Sequence, residues 1–65
     1  MSRNFYELKD IDDNIYFINM NSITFVEVSI YKKEYYSVTI NLIDGMCTVF
    51  LDTNQLLSFK NELNI

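Results

Sequence analysis

Apolar and polar residues alternate most regularly between Tyr36 and Leu51, where two β-branched runs flank Asp44-Gly45. Asp-Gly between alternating runs predicts a β-hairpin closed by a type I′ turn, whose two central residues take positive φ. With Asp44 and Gly45 as the turn, Ile43 faces Met46, Leu42 faces Cys47, Ile40 faces Val49 and Val38 faces Leu51. Val38, Ile40, Leu42, Cys47, Val49 and Leu51 then share one face, and Thr39, Asn41, Ile43, Met46, Thr48 and Phe50 share the other.

The rest of the chain extends this pattern. Phe5–Lys9 alternates as a short first strand, with Tyr6 and Leu8 on one side. The polar cluster Asp10–Asn14 predicts a turn. Asn14–Ile18 predicts a second strand that is apolar on both faces, Tyr16 and Ile18 against Ile15 and Phe17. After a turn at Asn19–Ser22, a third strand runs from Ile23 to about Tyr31. Thr24, Val26, Val28 and Ile30 form its better core face. Lys32-Lys33-Glu34 is the next turn. For Val26, Val28 and Ile30 to share a face with Tyr36, Val38 and Ile40, paired residue numbers must sum to an even value. That requires an odd connection of three or five residues rather than two.

Beyond Leu51 the period changes to that of a helix. Asp52 followed three residues later by Gln55 matches a capping box, and Leu56, Phe59 and Leu63 recur at helical spacing. A helix from Thr53 to Leu63 is therefore expected across the core face. The fold class is α+β: an antiparallel five-stranded β-meander, free to curl into a partial barrel, with one C-terminal helix packed on one face. Residues 1–65 read as a single small domain.

Two blocks of this pattern resemble the short flagellar FlbD-like family. One is Tyr16-x-Ile18-Asn19 with Ile23, Phe25, Val26 and Glu27. The other is Leu42-x-Asp44-Gly45, then Val49-Phe50, Thr53 and a terminal apolar helix. The chain departs from the family in its first turn, where Asp12-Asp13-Asn14 stands in place of a usual glycine. It is also longer between Tyr31 and Tyr35. The resemblance implies the same small β-plus-helix fold and an association with bacterial motility.

Composition narrows the choice of function. Sixty-five residues bury a limited fraction of their surface, so a chain of this size leans on cross-links, metal or association. Cys47 is the sole cysteine and there is no histidine. An intrachain disulfide and a structural zinc site are therefore excluded, which leaves a dense core or oligomerisation. The net charge of −4 opposes binding to nucleic-acid phosphates or anionic lipid. No apolar run is long enough to cross a bilayer as a helix, and the first residues carry no signal-peptide core. A cytoplasmic location is expected, the host cytoplasm if the chain is phage-encoded. The absence of Ala, Pro, His and Trp beside abundant Asn, Ile, Tyr and Phe is the skew of an AT-rich bacterial or phage genome.

No motif carries catalytic chemistry. Asp10-x-Asp12-x-Asn14 opens like a calcium loop, but such a loop needs glycine where Ile15 stands and glutamate where Asn21 stands. Asp10–Asn14 thus reads as a solvated turn. Cys47 has no histidine to activate it and falls on the core face. The expectation is no catalytic residue, no cofactor and no metal.

The informative feature is the face opposite the helix. Ile15, Phe17, Phe25, Tyr31, Ile43, Met46 and Phe50 all fall there, where a small antiparallel sheet ordinarily shows water polar side chains. These seven are the candidate interface residues. The alternative is a sheet that curls and buries some of them internally. The leading functional expectation is a small, acidic, non-catalytic protein-binding module whose partner is itself, as a homodimer or higher, and/or another protein. A phage- or mobile-element-encoded inhibitor of a host defence protein is the first alternative, and a small-ligand-binding oligomer the second. Neither nucleic-acid binding nor membrane insertion is expected.

Overall fold

The computed structural model describes residues 5–64. They form an α+β fold of five antiparallel strands and one C-terminal helix. The strands are β1 (Phe5–Lys9), β2 (Ile15–Asn19), β3 (Ile23–Lys32), β4 (Tyr35–Leu42) and β5 (Gly45–Asp52), followed by α1 (Thr53–Leu63). Successive strands pair antiparallel, but in two sheets: β1–β2, and β3–β4–β5. No closed barrel forms among the described residues.

The break falls between β2 and β3, where Met20–Ser22 makes one 3₁₀ turn. Asn19 begins it by accepting the Asn21 N–H on its side-chain oxygen at 3.1 Å. A short amide side chain that bonds its own backbone in this way competes with a strand ladder, and here it ends β2.

The β4–β5 hairpin forms in a register two residues away from the Asp-Gly expectation. Leu42 pairs with Gly45, Ile40 with Cys47, Val38 with Val49 and Tyr36 with Leu51, so the turn is Ile43-Asp44. Gly45 has no positive φ, and the type I′ turn does not form. Side chains alternate with period two, so a slip of two preserves every face assignment. The apolar pattern cannot choose between these registers. Bonds outside the hairpin favour the observed one. The Ile43 N–H reaches the Ser22 carbonyl at 2.8 Å, and Tyr35 pairs with Asp52, which sets Asp52 at the helix entry.

Between β3 and β4 the even register holds from Phe25–Asn41 through Ile30–Tyr36. The connection is two residues, Lys33-Glu34, and not the three or five expected; one extra residue, Tyr31, bulged out of β3, keeps the even parity. Glu34 takes φ 69°. A second irregularity leaves Thr24 out of the ladder, and its hydroxyl donates to the Asn41 carbonyl at 3.1 Å.

Helix α1 starts as its capping box requires. Asp52 accepts the Gln55 N–H at 2.8 Å, and Gln55 Oε1 accepts the Asp52 N–H at 3.0 Å. Asn64 closes the helix in the left-handed conformation, with φ 66°. The helix buries Phe59 completely, stacked on Tyr6 with ring centroids 5.7 Å apart. Around Phe59 lie Leu8 and Ile18 from the small sheet and Val38, Ile40, Val49 and Leu51 from the hairpin. Burying side chains of this size stabilises by about 1.5–3 kcal/mol each. Tyr6, Tyr16, Leu56, Leu63 and Cys47 pack at the edge of this core.

One turn stitches the two sheets together. The Ile11 N–H donates to the Phe50 carbonyl on the unpaired edge of β5 at 3.0 Å. Gln55 Nε2 donates to the Asp10 carbonyl at 3.1 Å.

Candidate interaction surface

The side chain that orders the β1–β2 turn is Asp10, which the sequence reading placed in a solvated turn. It is buried. One carboxylate oxygen accepts the Asp12 and Asn14 backbone N–H groups, each at 2.9 Å. The other accepts Asn14 Nδ2 and the Tyr16 hydroxyl, each at 3.2 Å. Burial alone would raise this carboxyl's pKa; the bonds from Asn14, Asp12 and Tyr16 outweigh it and hold the group below its ordinary value. Burial and the neighbouring Asp10 push the Tyr16 phenol up. Asp13 takes φ 68° to close the turn. Every donor to the Asp10 carboxylate belongs to its own turn or to β2, so the group holds structure. Burial likewise pushes the Cys47 thiol up, which keeps it as the weakly nucleophilic thiol form at neutral pH.

The seven candidate interface residues have these positions. Ile15 and Phe17 lie exposed on the outer face of β2, and Phe17 retains 68% of its accessible surface. Phe25, Tyr31, Ile43 and Met46 are exposed as well, while Phe50 is half-buried. Tyr31 covers Phe50, with ring centroids 4.6 Å apart, and Lys32 sets its ammonium 5.2 Å from the Tyr31 ring centre.

The observed register sorts the outer face of the large sheet into rows. Phe25, Asn41 and Met46 form one row, Glu27, Thr39 and Thr48 the next, and Ser29, Ser37 and Phe50 the third. A polar band therefore separates Phe25 and Met46 from Tyr31 and Phe50. The Thr39 and Thr48 hydroxyls share a 3.1 Å hydrogen bond across its middle. Within the first row, Asn41 holds Nδ2 out of solvent with no acceptor among the described residues. An orphaned buried donor costs about 1–3 kcal/mol.

Two further exposed residues were missed from the sequence. Val28 and Ile30 sit on the core side of β3, in register with Val38 and Tyr36. Yet Val28 is about half-exposed and Ile30 is 80% exposed. The helix packs mainly over β5, β1 and β4. Val28 lies directly beside the fully buried Val38, so the shortfall runs across the sheet: β3 lies one strand beyond the reach of the helix.

Among the described residues, no group of histidine, cysteine or carboxylate side chains is placed to hold a metal ion. No helix is long and apolar enough to cross a membrane. The shallow depressions on the surface are open, one lined by Tyr6, Leu8, Lys9 and the first turns of α1. Comparison with family models, curated proteins and solved structures finds no match to this chain.

Proposed function

We propose that this chain is a small, non-catalytic protein-interaction module and that its first partner is a second copy of itself. One observation carries the reading. Among the described residues eleven large apolar side chains are exposed. Singly scattered apolar residues are ordinary, but neighbouring ones on one face mark an interaction surface, as with Ile15 and Phe17 on β2 and Phe25 and Met46 in one row of the large sheet. The residues that would bear contact are Ile15, Phe17, Phe25, Tyr31, Ile43 and Met46, with Phe50 supporting Tyr31. On the family resemblance, the setting would be bacterial motility.

Light scattering on a size-exclusion column tests this reading. A single chain weighs 7.7 kDa, and the expected mass at micromolar concentration is at least twice that. A mass of one chain at every concentration overturns self-association. The exposed side chains would then await a different protein, as in an inhibitor of a host protein, to be sought with the chain immobilised as bait.

A further inference from the structure

We infer that the β3 edge pairs with β3 of a second copy, antiparallel and centred on Val28, joining two three-stranded sheets into one. The inference rests on the self-association proposed above and, of the contact residues named there, uses Phe25 and Tyr31.

The direction of the edge hydrogen-bonding groups follows from one bond. Phe50 accepts the Ile11 N–H on its carbonyl, so its backbone polar groups face away from β4. Antiparallel ladders alternate between hydrogen-bonded and non-hydrogen-bonded pairs. The Ser37–Phe50 pair is therefore of the non-bonded kind, and Ser37 turns its N–H and C=O toward β3. Ser29–Ser37, Glu27–Thr39 and Phe25–Asn41 are then the bonded pairs. Val26, Val28 and Ile30 consequently point their N–H and C=O groups out of the free edge of β3.

Strand edges of this kind are ordinarily blunted by proline, by charge or by brevity. β3 is ten residues long, the chain has no proline, and Glu27 is the only charge before Lys32. The bulges at Thr24 and Tyr31 bracket the segment from Phe25 to Ile30 and leave it regular.

A twofold axis perpendicular to the sheet keeps each side chain on its own face, so it must pass through a residue. Centred on Glu27, it would set two carboxylates directly opposite each other, which is destabilising. Centred on Ser29, it would carry Val26 against the partner's Lys32, beyond the bulge. Centred on Val28, it pairs Val28 with the partner's Val28 and Val26 with the partner's Ile30, in both directions. Each outward N–H and C=O of these three residues then gains a partner. Glu27 faces the partner's Ser29. On the core side, the exposed Val28 is set against its own copy and Ile30 against the partner's Val26. On the outer face, Phe25 comes alongside the partner's Tyr31.

Two variants test the register. Val28→Pro removes an N–H that makes no bond among the described residues, a position where edge strands accept proline. It is expected to lower the solution mass from two chains to one while the far-UV circular dichroism is retained. Glu27→Cys with Ser29→Cys in a Cys47→Ser background sets a thiol of each copy opposite one of its partner, twice across the axis. These are non-bonded pairs, with Cα atoms about 4.5 Å apart and side chains closer than in a bonded pair, inside the range of about 4.4–6.8 Å that disulfides span. Mild oxidation should convert this variant to a covalent dimer and leave Phe17→Cys in the same background largely uncross-linked. The inference is overturned if Val28→Pro folds and still dimerises, or if the doubly substituted dimer fails to cross-link. In either case a wild type that is itself dimeric leaves the broader proposal standing. A wild type that is a single chain at all concentrations overturns both.

Discussion

Asp10 gathers four hydrogen bonds onto one carboxylate and turns a run of polar residues into a fixed corner. Its folded-state pKa lies below the unfolded value, so the folded chain releases the proton more readily. The stability this confers is fully present above the unfolded pKa, about 3.9, and is lost as pH falls through the lower folded value. Asp10→Asn should cost roughly 1.5–3 kcal/mol near neutrality, the range for bonds to a charged acceptor. It should also flatten the acid limb of a plot of urea midpoint against pH. Tyr16 gives the opposite sign. Its raised pKa leaves its contribution intact below about pH 10, to be lost as pH climbs through the folded value. Gly45 makes a separate point at this scale. With no positive φ and nothing within 4 Å of where a Cβ would stand, Gly45→Ala should be neutral or stabilise by about 0.4–1 kcal/mol. A type I′ turn at Asp44-Gly45 would instead make alanine strain the hairpin, and a urea titration separates the two outcomes.

The elements were largely legible in the sequence because each carried more than one agreeing signal. The helix had both a capping box and helical spacing, and it runs over Thr53–Leu63 as that pairing implies. The cap can be tested directly: Asp52→Ala should cost about 1 kcal/mol, seen as a lower urea midpoint with an unchanged slope. The strands of the hairpin and their faces were legible from alternation, but their register was not. Period two is blind to a slip of two, and Asp-Gly supplied a turn signal that the Ile43–Ser22 bond overrides. The even parity of the β3–β4 register was legible, but the connection is two residues rather than three or five, because the odd residue is absorbed within the strand. It enters as a bulge at Tyr31, and that bulge is what lays the Tyr31 ring over Phe50.

On the scale of the whole molecule, one helix lies over β5, β1 and β4 and leaves most of β3 uncovered, and the apolar surface left over becomes the main feature of the chain. The outward set from Ile15 to Met46 is legible because alternation alone assigns it. Val28 and Ile30 follow the period of the core, yet Val28 lies beside the fully buried Val38 and beyond the helix's reach across the sheet. The free edge of β3 passes between Phe25 and Tyr31 on one face and Val28 and Ile30 on the other, and a second β3 set along it joins these in one contact.

Amide hydrogen exchange at Val26, Val28 and Ile30, followed over a dilution series, tests that contact most directly. These three N–H groups face out of the sheet and have no partner among the described residues. Pairing with a second copy predicts protection comparable to their inward-facing neighbours Glu27 and Ser29 at high concentration, falling away on dilution. Rapid exchange at all three sites at every concentration, beside protected Glu27 and Ser29, would contradict it.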